Sequence, residues 1–138
     1  PDTWADERLL TPADAGSLGS PGPAPLLFTW TCQAQWYQYH LGPSVNEALL
    51  LAPQGGAVAS FGPTGISDPG LQAILAERVL ASVIEGAPLG ESVRKAKAES
   101  LRQNPEMRGV VEGFTLLGDP ELVVGGLPPV SRARAEDP

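Results

Sequence analysis

The sequence predicts an α/β domain built on a parallel or mostly parallel sheet. Three observations predict it. Short apolar runs of strand length, residues 26–31 and 57–61, alternate with longer stretches whose apolar residues recur at helical spacing. Both runs end on polar or glycine-rich segments, and their near-continuous apolar character suits strands buried on both faces. The order along the chain is helix, strand, helix, strand, helix, helix, strand, and strands separated by helices imply right-handed parallel crossovers. Three strands are few for such a sheet, so the chain is expected to be part of a larger domain. A start on Pro1-Asp2-Thr3-Trp4, with no initiator Met and no strand before the first helix, carries the same expectation.

Each element has a local reason. Thr11-Pro12-Ala13-Asp14 is a helix start, with Thr as N-cap, Pro at the first helical position and an acid in the first turn. Gly16 and Gly19 keep that helix short, and a Gly/Pro/Ser loop leads to the strand Leu26-Leu27-Phe28-Thr29-Trp30-Thr31. Ser44 followed three residues later by Glu47 is a capping box opening a helix that stops at Pro53. Residues 57–61 are the second strand, and Gly62-Pro63-Thr64-Gly65 is read as the loop at its C-terminal edge. Asp68-Pro69 starts the longest helix, which places Leu71, Ile74, Leu75, Val79, Val83 and Ile84 on one face and stops near Gly86. A further helix over residues 90–103 turns Val93, Ala96 and Leu101 inward and Arg94, Lys95 and Lys97 outward, the three cations forming a solvated face. Val110-Val111 and Phe114-Thr115-Leu116-Leu117 make the last strand region, Gly118-Asp119-Pro120 breaks it, and residues 121–124 resume extended structure. Residues 1–124 are the domain part, and 125–138, rich in Gly, Pro, Arg and Glu, are a linker or disordered tail.

Composition excludes several function classes. The 138 residues suffice for one core, and 42% apolar content is ordinary for a globular chain. A net charge of −7 argues against a nucleic-acid surface, which needs clustered Lys and Arg. No apolar run approaches the roughly 20 residues that span a bilayer. One cysteine forms no intrachain disulfide, one histidine excludes a His-rich zinc site, and no cofactor motif is present. The 62–65 loop lacks the Gly-Lys-Ser/Thr ending of a phosphate-binding P-loop.

The candidate chemistry centres on Cys32, the only cysteine, at the C-terminal end of the first strand. In open α/β sheets that edge collects ligands and reacting groups. Cys32 is therefore a candidate nucleophile, against the alternative of a small buried hydrophobe. Substrate-pocket candidates are Trp4, Trp36 and Thr64. Trp4 is otherwise a core anchor, and Trp36, with Tyr37, Tyr39 and His40, otherwise packs a solvent-edge loop. Gly62 and Gly65 allow a backbone to approach a ligand closely. Asp68 is either an acidic pocket wall for a basic substrate residue or, the better reading, a helix N-cap.

The ordered set TWADERLLTPADAGSL, LLFTWTCQAQW, SVNEALLLAPQGGAVASFGPTG, PLGESVRKAKAE and FTLLGDPELVV resembles the C-terminal half of the catalytic domain of gingipain-type cysteine peptidases. The resemblance runs from about Thr3 to Val124, with most weight on 46–48, 56–59 and 117–120. It implies a caspase-like three-layer sandwich, here a partial domain. It implies that Cys32 is the nucleophile and that the catalytic His, in a His-Gly pair ending the preceding strand, lies just before Pro1. His40, eight residues after the cysteine, is not its match. Gln33-Ala34-Gln35-Trp36 keeps the family's aromatic but has Ala where glycine is usual. A free thiol has a pKa near about 8.5, so an imidazole base and N–H donors for the oxyanion are both required. The resemblance supplies those donors from Cys32 N–H and the upstream His-Gly turn. It implies a protein or peptide substrate, the upstream half of the domain as partner, and a secreted or cell-envelope location. The expected function is part of an endopeptidase, inactive as the isolated chain. The alternatives are a non-catalytic caspase-like scaffold and a generic α/β module holding a small ligand at residues 62–65.

Overall fold

A computed structural model of the chain describes residues 9–15, 17–18 and 22–125. Trp4 and residues 126–138 lie outside the described residues. The elements are α1 (Pro12–Ala15), β1 (Leu26–Phe28), α2 (Val45–Leu50), β2 (Ala59–Pro63), α3 (Pro69–Ile84), α4 (Leu89–Gln103), a 3₁₀ turn (Pro105–Met107), α5 (Arg108–Gly113) and β3 (Phe114–Gly118). The helix starts obey local chemistry. Ser44 and Glu47 form the reciprocal capping box, and the Asp68 side chain accepts from Leu71 N–H at the head of α3.

The sheet runs in the order β1-β2-β3. β1 and β2 are parallel, with Leu26 opposite Ala59 and Phe28 opposite Phe61. β3 runs antiparallel to β2, from Phe114 opposite Pro63 to Gly118 opposite Ala59. The connection explains the change of direction. One crossover helix returns a chain to the start of its sheet, but α3 and α4 form an antiparallel pair. Two long helices leave the chain at the edge where β2 ended, and β3 must start there.

Side-chain alternation gives the sheet two unlike faces. Ala59, Phe61 and Phe114 face α3, α4 and α5 and join Leu75, Val79, Val83, Leu89 and Val93 in the main core. Leu27 turns the other way, to Ala15, Val45 and Leu49 of α1 and α2. Helices on both faces of a sheet make three layers, as the sequence leads one to expect.

Several details differ from the sequence reading. Gly62 and Pro63 belong to β2 rather than to a loop. Val110 and Val111 are helical in α5, because Asn104 caps the preceding turn by accepting from Glu106 N–H, and both valines then bury against the core. Packing there outweighs β-branched propensity. Residues 121–124 are a turn and irregular chain, occupied in capping α4. Pro88 offers α4 no side-chain cap, and the first two N–H groups donate instead to Leu122 O (2.9 Å) and Pro120 O (2.8 Å). Gly90 permits this approach, since a Cβ there would lie 2.6 Å from Pro120 Cβ.

The basic cluster of α4 also divides. Arg94 and Lys95 lie on the surface around Glu91, at 2.7 and 3.2 Å, and their hydrogen bonds, Arg94 first, hold its carboxyl down at about 2. Lys97 does not join them. It is half-buried, donates to Phe114 O at 2.5 Å and stands 6.0 Å from the Phe61 ring centroid. Desolvation lowers its pKa from the ordinary lysine value.

Candidate active site

Cys32 lies just past β1, in a turn held against the segment that follows β2. Thr29 N–H donates to Phe61 O (3.0 Å), Gln35 N–H to Pro63 O (3.1 Å) and Gln33 N–H to Gly65 O (3.2 Å). The C-terminal ends of the two parallel strands thus remain tied together beyond the ladder. Gln33, directly after the cysteine, has φ of 63°, the one positive φ on a non-glycine among the described residues. Such a conformation costs about 1–3 kcal/mol and persists only where its surroundings impose it.

A buried polar cluster imposes it. Gln35 and Asn46 are fully buried, with Ser60 and Thr29 beside them. Asn46 Nδ2 lies within 3.0 Å of Thr29 Oγ1, Gln35 Oε1 and Ser60 Oγ, and Ser60 donates to Gln35 Oε1. Gln35 Nε2 donates in turn to Thr115 O (2.5 Å), so the cysteine loop is pinned to β2, β3 and α2 together. Gly62 is required here. A Cβ on it would lie 2.1 Å from Thr29 Oγ1 and 2.9 Å from Asn46 Nδ2. The close approach that Gly62 permits is therefore to these side chains, inside the fold. Beside Asn46 lies a recess of about 10 Å³ lined by Leu27, Thr31, Ala34 and Leu49, at the lower limit for one water.

The sulfur itself is half-buried and faces the head of α3. Sγ lies 3.7 Å from Ser67 O, as donor, and 3.7 Å from Gln72 Nε2, as acceptor. The Cys32 backbone N–H has no acceptor among the described residues. Next to Ser67, Ile66 is exposed over most of its surface.

Of the pocket candidates, Trp36 is half-buried and packs on Tyr39, with ring centroids 5.2 Å apart. Thr64 donates through both N–H and Oγ1 to Gly113 O, at 2.8 and 2.9 Å, tying the end of β2 to α5. Neither hydrogen-bonds to Cys32. His40 is exposed, contacts Tyr39 at 5.8 Å between ring centroids, and makes no hydrogen bond to the sulfur. Asp68 is used by its cap. Among the described residues no group of three or more His, Cys, Asp or Glu is placed to hold a metal ion. Gln35, Asn46 and Gln72 escaped the sequence reading as site-forming residues. Their signal was polar side chains at positions that must be buried, legible only once the register is known.

Comparison with known proteins gives two matches. The family model for peptidase family C25 matches residues 1–125. Among solved structures, the Arg-specific cysteine proteinase gingipain R (RGPB) has a similar fold, with a TM-score of 0.72 at 17% identity. That similarity covers 90% of this chain and 31% of that one, so the chain spans about a third of its length. No curated protein matches. Among the described residues no helix is long and apolar enough to cross a membrane.

Proposed function

The chain belongs to peptidase family C25, and from that premise we propose that it carries the nucleophile of a cysteine endopeptidase. The observation that carries the reading is the position of Cys32. A half-buried sulfur at the C-terminal edge of two parallel strands, next to a backbone N–H with no acceptor among the described residues, is what attack on a peptide carbonyl needs. The base is a histidine outside residues 1–138, on the strand preceding them in the upstream half of the domain. It takes the thiol proton; the thiolate adds to the carbonyl carbon, and the electron pair of the C=O moves to oxygen. The Cys32 N–H donates to that oxyanion, a contact worth about 10²–10³ in rate. Collapse expels the amine, which takes the proton back from the imidazolium, and water then cleaves the thioester. Arg specificity is not carried over from the gingipain structure, because Asp68, the acid considered for a basic pocket, is bonded to Leu71 N–H. Trp4, Trp36 and Thr64 stay as proposed pocket residues, and a secreted or cell-envelope location is proposed from the family.

The test is peptide hydrolysis by the complete polypeptide that carries this chain. Cys32→Ala is expected to lower kcat/KM by roughly 10⁴-fold or more, and residues 1–138 alone are expected to hydrolyse no peptide. A Cys32→Ala protein of unchanged activity sinks the proposal. A second reading, a non-catalytic scaffold, is favoured by two contacts: Ser67 O and Gln72 Nε2 hold the sulfur as a structural thiol is held.

A further inference from the structure

Gln72 is left unexplained by packing. It is 2% exposed, on the core face of α3, where Leu75 and Val79 show what burial alone selects. Its Oε1 has no hydrogen-bond partner among the described residues. Burying a carboxamide with that oxygen unsatisfied costs free energy that an apolar residue avoids. The amide nitrogen, by contrast, has three acceptors for its two hydrogens. It lies 2.8 Å from Ser67 Oγ, 3.3 Å from Ser67 O and 3.7 Å from Cys32 Sγ. The carbonyl fixes which end of the amide faces it: Ser67 O only accepts, so a flipped Gln72 would oppose two acceptors.

We propose that Gln72 is a positioning residue that donates a hydrogen bond to Cys32 Sγ and holds it as the attacking thiolate. In the thiol, the S–H points to Ser67 O. When the proton leaves for the base, the sulfur faces that carbonyl oxygen with no hydrogen between them. The first hydrogen of Gln72 Nε2 is held by Ser67 Oγ; the second has Ser67 O at 3.3 Å and Cys32 Sγ at 3.7 Å as acceptors, and the charge on the thiolate draws it to the sulfur. A hydrogen bond to the charged form favours that form. No heavy-atom bond changes in this step, and the proton passes from sulfur to imidazole. The inference rests on the reading of Cys32 as nucleophile.

The experiment is alkylation of Cys32 by iodoacetamide, followed by peptide mass spectrometry across pH 5–10, in the complete polypeptide. Gln72→Met keeps length and removes the donor; Gln72→Glu keeps shape and puts an acceptor in its place. The Gln72→Met profile is expected to move to higher pH by about one unit, with alkylation at pH 7 about tenfold slower. Gln72→Glu is expected to move further. A merely structural Gln72 changes melting but not the pH profile. Natively folded variants with the wild-type profile overturn the inference. Without substitution at Gln72, its side-chain amide resonances should follow pH in step with alkylation and lose that response in Cys32→Ala; resonances indifferent to Cys32 overturn it as well. A displaced profile with hydrolysis intact in Cys32→Ala removes the nucleophile reading and keeps the hydrogen bond. Hydrolysis lost in Cys32→Ala with an unmoved profile does the reverse.

Discussion

The two faces of β2 solve the same burial problem with opposite chemistry. Toward α3–α5, Ala59 and Phe61 enter an apolar layer in which Trp30, Phe61 and Phe114 lie 5.3–6.0 Å apart between ring centroids. Toward α2, Ser60 and Gly62 meet Asn46, Thr29 and Gln35, and hydrogen bonds replace apolar contact. The apolar face stabilises through area and shape, so it can absorb changes that keep volume. The polar face has directional bonds with fixed partners, and a half-satisfied network is costly. Its return is positional. The bonds of Gln35 and Asn46 hold the loop on which Cys32 and the strained Gln33 stand.

The largest test of this contrast is Phe61→Ala. It opens a cavity at the centre of the apolar face and should cost about 3–5 kcal/mol in denaturant unfolding, with Cys32 alkylation in the folded protein little changed. Asn46→Leu comes next. It keeps approximate volume and strips the donor from Gln35, Ser60 and Thr29, at about 1–3 kcal/mol. Here alkylation of Cys32 should change more than for Phe61→Ala, although the stability loss is smaller. The reverse order of alkylation effects would break the assignment of position to one face and bulk to the other.

The smallest effect belongs to Lys97, a cation inserted at the apolar face. Its pKa is lowered in the folded chain, so the unfolded chain binds more protons between the folded and unfolded values. Its unfavourable contribution is therefore present below the folded value and fades as pH rises toward the ordinary lysine value near 10.5. Lys97→Met should remove that rise, seen as a flatter stability–pH curve between neutral and alkaline pH than wild type. Identical slopes would mean that water reaches the ammonium freely.

What was legible in the sequence followed from short-range rules. Ser44 with Glu47, and Asp68 with Pro69, fix helix starts because a cap bonds within three residues of itself. The apolar period of α3 marks Leu75, Val79 and Val83 as buried, but Ile74 and Ile84, expected on the same face, are exposed and Gln72, expected off it, is buried; two apolar runs mark strands. The ordered motifs were enough for the family and for Cys32 as its candidate nucleophile. The tertiary structure alone decided the rest. Val110 and Val111 became helical, β3 ran antiparallel because two helices precede it, and Lys97 turned inward. Gln35, Asn46 and Gln72 became partners across 11 to 80 residues of chain. Local bonding energies are set by neighbours a few positions away, whereas strand direction and polar partnership depend on register, which exists only after the chain has folded.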